Sequence, residues 1–256
     1  MKCTRYLKLV SLCLSDGGIG FSSETKYIHF TNKSDVLLNM FRNEIKKFTS
    51  SKIHEQEKPR GITLRVFNKS LVSELLKISS SFRTKPCNHF PICPAFKNKW
   101  ENEHRHIKMN GDIWSEIQVP EKLFRNNKDK SEFLRIYISC DGYPSIFPRQ
   151  KSWSPVERIV SIVCHNPMLK KRLSELLLDL KIPHTVKTNS LEMRSKDSIL
   201  KFKNKIGFVN NVKMTGNSKY WEGITKNEVL NKIIKSYNVK FETRDSSYVI
   251  SKLNKL

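Results

Sequence analysis

Two short apolar stretches, each stopped by an aspartate and a glycine, stand half a chain apart. The first runs Leu9-Val-Ser-Leu-Cys-Leu-Ser-Asp-Gly17 and the second Leu134-Arg-Ile-Tyr-Ile-Ser-Cys-Asp-Gly142. Leucine or isoleucine recurs at the same offsets, and Asp16 and Asp141 lie 125 residues apart in a chain of 256. A second pair of segments agrees with that period. Leu64-Arg-Val-Phe-Asn-Lys69 matches Leu191-Glu-Met-Arg-Ser-Lys196 at a spacing of 127. Two independent anchors therefore describe one duplication, which obliges the chain to fold as two similar units, each with an acid where its first helix stops.

The order of elements can be read between the anchors. Asp16-Gly17-Gly18-Ile19-Gly20 ends the first helix, its glycines permitting a backbone turn. Tyr27 to Thr31 alternates with period two and reads as a strand, with Tyr27 and His29 opposite Ile28 and Phe30. Asn32 to Asp35 offers helix caps, and Val36, Leu37, Met40, Phe41, Ile45 and Phe48 follow at helical spacing. Glu57 to Gly61 is a turn. Ile62 to Val66 alternates again, with Thr63 and Arg65 outward, and Lys69 to Ile78 closes the unit as a helix. The second half repeats the pattern: a strand and turn from Gly142 to Pro155, a strand from Ile159 to Cys164, and a helix opened by Asn166-Pro167. A strand pair from Ile182 to Arg194 and a helix from Lys196 to Lys205 follow. The expected divisions are 1–80 and 131–210 for the halves, 81–130 for a loop-rich connector, and 211–256 for a C-terminal extension packed on the second half. The pattern from Lys226 onward alternates between helix-like and strand-like and suggests no role.

Charge narrows the partner. Lys and Arg number 47 against 24 Asp and Glu, giving +23 with no single tail holding the excess. A polyanion is the default partner of such a chain. No apolar run approaches the ~20 residues that span a bilayer, and the start lacks the apolar core of a signal peptide, so a cytoplasmic protein is expected. Six cysteines have no framework spacing. Cys13 and Cys140 fall inside the apolar helices, where a thiol packs as a small hydrophobe. Cys87, His89, Cys93, His104 and His106 form the one cluster whose ligand types suit zinc, but no CxxC knuckle fixes a geometry, and the intervening prolines and aromatics read as a packed loop.

The paired motifs resemble the signature helices of LAGLIDADG homing endonucleases in their single-chain form. Both copies match at the leading leucine, the second acid and the final glycine; the runs Phe-Thr-Asn-Lys-Ser at 30–34 and Lys-Ile-Gly-Phe at 205–208 are similar too, and Arg-Thr-Lys-Pro-Cys at 83–87 looks like archaeal intron-encoded members. The resemblance covers nearly the whole chain. It implies an α+β fold of two pseudo-symmetric αββαββα half-domains, with antiparallel saddle-shaped sheets, joined at a two-helix interface. The family favours glycine or alanine where those helices cross; here the positions hold Ser11 and Ser15 in one copy and Ile136 and Cys140 in the other. Ile136 is expected to force the helices apart or shift their crossing.

The resemblance also implies the chemistry. Asp16 and Asp141 would meet at the helix ends, and two adjacent carboxylates repel unless cations lie between them. The implied cofactor is Mg²⁺, with Mn²⁺ able to substitute, held by Asp16, Gly17, Asp141 and Gly142. The implied reaction is hydrolysis of both strands of duplex DNA to leave staggered ends, by a monomer on an asymmetric site. Family members place a lysine near each metal, for which Lys85 and Lys213 are the candidates. Free sheet faces enter the major groove, giving Tyr27, His29, Thr63 and Arg65 in the first half and Arg149, Lys151, Lys187 and Arg194 in the second as DNA contacts. Two alternatives stay open: a catalytically silent DNA- or RNA-binding protein, maturase or regulator, on the same scaffold, and an unrelated basic protein with a zinc-stabilised loop.

Overall fold

The computed structural model describes residues 3–21, 25–86, 106–109, 111–149, 155–215, 218 and 220–256. Lys151 and the cluster of Cys87, His89, Cys93 and His104 lie outside them. A 3-10 turn over Cys3–Tyr6 leads into helix α1 (Leu7–Leu14), whose residues are buried apart from Lys8. A helix apolar on every side has no solvent face and must lie in the core. There follow β1 (Gly17–Phe21), β2 (Lys26–Asn32), α2 (Asp35–Lys46), β3 (Ile53–Lys58), β4 (Gly61–Phe67) and α3 (Lys69–Leu76). The connector holds a hairpin, β5 (His106–Met109) and β6 (Asp112–Ser115). The second half repeats the first as α4 (Asn127–Asp141), β7 (Gly142–Pro148), β8 (Val156–Val163), α5 (Pro167–Asp179), β9 (Thr185–Val186), β10 (Ser190–Met193) and α6 (Lys196–Lys205). Each half is thus αββαββα, and each carries an antiparallel four-stranded sheet, ordered β1-β2-β4-β3 and β7-β8-β10-β9.

Local chemistry explains the boundaries. Asn126 accepts hydrogen bonds from the backbone amides of Lys128 and Asp129 and so caps α4, while Asn166 does the same for α5 through Met168 and Leu169, with Pro167 in the first turn. Ser195 caps α6 through the Ser198 amide. The segment after Asp16, expected as a glycine turn, is instead the edge strand β1, paired from Gly17↔Phe30 to Phe21↔Lys26. Neither motif glycine has a positive φ. Their role is close approach. A Cβ on Gly17 would lie 2.8 Å from the His29 carbonyl oxygen, and one on Gly142 would lie 2.7 Å from that of Ile138 and 3.0 Å from that of Ser161. Each glycine lets the end of a signature helix press against the second strand of its sheet.

Helices α1 and α4 pack directly on each other, and the buried side chains of both halves form one continuous core. At the crossing the Ser11 hydroxyl donates to the Phe133 carbonyl oxygen at 2.7 Å. Ile136 is fully buried. The small serine brings α1 within hydrogen-bond reach of the α4 backbone one turn before Ile136.

After Met214 the chain turns back, and Lys213 forms a single bridge with Thr225. Thr225 and Glu228 make a reciprocal capping box that starts α7 (Lys226–Ser236). That helix and α8 (Ser246–Asn254) pack on β7, and Trp221 donates its indole N–H to the Ile146 carbonyl oxygen at 2.8 Å. The strand-like alternation of this region forms no strand. Among the described residues no helix is long and apolar enough to cross a membrane.

Candidate active site

Both signature helices deliver their acids to the same place. Asp16 and Asp141 line one cleft of about 920 Å³, together with His29, Tyr137, Cys164, the β3–β4 turn and the segment 81–85. Lys58, Arg60, Arg83 and Lys85 line it too and are exposed, so the cleft offers cations to an anionic ligand around two carboxylates.

The acids are held differently. Asp16 accepts the Asn32 side-chain amide at 2.6 Å, and its carbonyl oxygen accepts the Thr31 amide at 3.0 Å. Asn32 is fixed in turn, its own oxygen accepting the Ser34 amide at 2.7 Å. Gly61, at φ +120°, makes this possible: a Cβ there would lie 2.4 Å from the Asn32 carbonyl oxygen. In the second half Tyr137, one turn back on the same helix, lines the cleft beside Asp141, and its hydroxyl donates to the Val163 carbonyl oxygen at 3.4 Å.

Beneath both acids lies a buried lysine. The Lys226 ammonium, on the first turn of α7, donates to the carbonyl oxygens of Ser139 at 2.8 Å and Gly142 at 2.6 Å. Those oxygens belong to the end of α4, where helical carbonyls lack internal partners. Its charge also reaches Asp16, Asp141 and Cys140. Burial drives the Lys226 amine below its ordinary value, opposed by Cys140, Asp16 and Asp141. Burial likewise raises Asp16, against Lys226 and the Asn32 bond. Burial, followed by the charge of Asp16, pushes Asp141 up to about 8 despite Lys226, Tyr137 and Lys85. The Cys140 thiol is pushed well up by burial and by the charge of Asp16.

The remaining expected site residues fall in distinct places. Lys85 acts on Asp141 across the cleft, whereas Lys213 is exposed and acts on Glu228; the second cation felt by the acids is Lys226, not Lys213. Tyr27, His29 and Arg65 share one face of the first sheet, with the Arg65 guanidinium 5.6 Å from the Tyr27 ring centre. Burial, then Arg65 and Lys58, hold the His29 imidazole below its usual value. Thr63, expected outward, is only 2% exposed; its hydroxyl shares a 2.9 Å hydrogen bond with Thr31. Lys187 is exposed at the β9–β10 turn. Arg149 and Arg194 are not free cations, since both pair with Glu157 and Arg194 also pairs with Glu192.

Asn32, Tyr137 and Lys226 were absent from the sequence-based candidates. The Thr225-x-x-Glu228 capping signature was the available cue that Lys226 opens a helix. Nothing in the spacing tied that helix to the acids 210 and 85 residues earlier.

Residues 128–207 match the profile of the LAGLIDADG-like domain. No curated protein sequence matches the chain. Among solved structures, the I-LtrWI LAGLIDADG homing endonuclease bound to target DNA aligns with 99% of this chain and 97% of its own, at 16% identity and a TM-score of 0.53. The LAGLIDADG meganuclease I-CpaMI bound to uncleaved DNA aligns over 97% of each chain at 11% identity and a TM-score of 0.54. A structure of mesophilic variants of the homing endonuclease I-DmoI covers 81% of this chain and 93% of its own, at 16% identity and a TM-score of 0.51. The chain therefore has the fold of single-chain LAGLIDADG nucleases, and its second half also carries the sequence profile.

Proposed function

We propose that this protein is a site-specific double-strand DNA endonuclease of the homing type, working as a monomer on an asymmetric site. One observation carries the reading: two helix-terminal carboxylates from equivalent positions of the two halves converge in a single cleft bordered by exposed cations. A merely structural Asp-Gly ending gives no reason for both acids to line the same cleft.

The donor set fits a hard divalent cation such as Mg²⁺ or Mn²⁺. The charge of Asp16 raises the proton affinity of Asp141, an anionic neighbour's effect that a cation between them relieves, and oxygen donors suit these ions. Asp16 and Asp141 would hold the metal; the Gly142 carbonyl is already engaged by the Lys226 ammonium. A bound divalent ion supplies Lewis acidity toward a phosphoryl oxygen and lowers the pKa of coordinated water. The chain's own groups do the rest. Asn32 orients the Asp16 carboxylate, Lys226 fixes the end of α4, and Lys58, Arg60, Arg83 and Lys85 are placed to receive phosphates.

A second reading has its own support. Lys226 places a buried positive charge beside both acids without any metal, as a binder that never cuts would need. Selection of duplexes from a randomised library, followed by digestion with Mg²⁺ or Mn²⁺, separates the two. Staggered ends from the parent, lost in Asp16→Asn and in Asp141→Asn, are expected of the nuclease. Specific retention without any cleavage would establish the silent binder instead.

A further inference from the structure

The free face of the second sheet carries an arrangement with no counterpart on the first. Across the first sheet the row through the centre is Gly18, His29, Arg65 and His54, with no carboxylate in it. On the second sheet, Glu192 pairs in register with Ser161, and Ser161 with Tyr143, an exposed residue of β7. Glu157 pairs with Phe147, two steps along the same alternation from Ser145. These side chains lie opposite Leu191, Met193 and Ile146, which are fully buried.

On this face Arg194 is clamped. Its Nε donates to Glu192 Oε2 at 3.0 Å, its Nη2 is also 3.0 Å from that oxygen, and its Nη1 pairs with Glu157. Arg149 reaches the other Glu157 oxygen at 3.4 Å. The glutamate side chains are 13% and 14% exposed, but that of Arg194 is 44% exposed. Two arginines and two glutamates cancel, leaving a neutral patch on a chain of net charge +23. A guanidinium has five N–H donors, two on each terminal nitrogen, so these contacts leave an uncommitted N–H on both Nη1 and Nη2.

A neutral, hydrogen-bonded cluster is poorly suited to gathering phosphates, because affinity from counterion release needs unpaired positive charge. It is well suited to reading a base edge. A guanidinium whose direction is set in advance loses little freedom on pairing with guanine O6 and N7, and a neighbouring carboxylate can accept from the cytosine amino group. We propose that Arg194, positioned by Glu157 and Glu192, is a specificity-determining residue that reads a G·C pair in the half-site under the second sheet. This inference rests on the protein binding duplex DNA. Arg194 continues β10 past Met193, whose partner is Val160, two residues from the Ile162 opposite Gly142. At ~3.3 Å per strand residue and ~3.4 Å per base pair, the pair read lies within about five base pairs of the two acids.

The test is selection of bound duplexes from a randomised library without divalent metal, comparing the parent with Arg194→Ala, Arg194→Lys, Glu192→Gln and Arg65→Ala. The expected parent site has a G·C pair in the second half-site, preferred by about five- to a hundredfold. Arg194→Ala should erase that preference while the salt dependence of binding stays unchanged, and Arg194→Lys should not restore it, since an ammonium lacks the fork. Glu192→Gln should weaken the preference. Arg65→Ala should leave the second half-site intact and lower the salt slope by about one. A parent that selects a site which Arg194→Ala selects equally well would overturn the inference alone. A parent that retains no duplex under any condition would overturn it together with the reading as a DNA-binding protein.

Discussion

The two halves share a backbone plan but not the means by which they hold their acids. Asp16 is steadied from outside its helix, by an amide on β2 that is itself pinned by the turn after it. Beside Asp141, at the position where the first motif has Leu12, stands Tyr137, whose hydroxyl donates to the Val163 carbonyl oxygen on β8. Lys226 serves both acids but is bonded only to the end of the second helix. Duplication has thus kept the carboxylates and the glycines that let them approach, while their supports have diverged. Position is what the shared geometry demands; the supporting contact can be anything that donates a hydrogen bond.

The strongest test of equivalence removes each acid in turn. Asp16→Asn and Asp141→Asn should each abolish double-strand cutting by on the order of 10³-fold or more, as expected when an electrostatic centre is lost. A variant that still cuts both strands at a near-parental rate would break the comparison. Next comes pH. Asp141 titrates near 8 in the fold and near ~3.9 when unfolded, so the folded state binds more protons between those values. Its contribution is therefore fully present below about pH 4 and is lost as pH rises toward 8. Thermal unfolding of metal-free protein should show stability falling over that window by several kcal/mol. Asp141→Asn should flatten the fall more than Asp16→Asn does, and equal slopes for the two variants would show the acids to be equally strained.

Lys226→Met should cost about 3 kcal/mol in urea unfolding, since it leaves buried carboxylates and helix-end carbonyls without their cation. An unchanged midpoint would mean that the lysine is dispensable to the fold. The finest distinction concerns the two supports. Asn32→Ala removes one hydrogen bond to a charged group, worth about 1.5–3 kcal/mol, and Tyr137→Phe removes the hydroxyl that lines the cleft beside Asp141; each should slow cutting roughly tenfold or more. If the halves act separately, a supercoiled substrate will accumulate as nicked circles, with a different strand left intact in each variant. Loss of both strands in step would show that the cleft works as one unit.

Much of the fold was legible from the repeat. The paired motifs located α1 and α4, and the helix expected from Lys196 to Lys205 is α6. Local signals failed where tertiary contacts decided. Gly17-Gly-Ile-Gly20 has the composition of a turn, yet it is a strand because β2 offers it partners at every residue. Thr63 alternates outward on β4 but is covered by Thr31. Lys213 and Lys226 look alike in sequence, and only the docking of α7 on β7 puts one beside the acids and leaves the other in solvent. Arg149 and Arg194 read as free cations because the glutamates that pair with them, Glu157 on β8 and Glu192 on β10, lie two to 37 residues away.

Lys226 also sets an order of assembly. A ribosome makes Asp16 first, then Asp141 after 125 residues and the lysine after another 85 residues. A nascent or prematurely terminated polypeptide thus carries both acids with no ammonium beneath them and the end of α4 uncapped. The cation beneath the acids arrives only with a segment 85 residues beyond the second motif, and a chain that stops short of residue 226 lacks it.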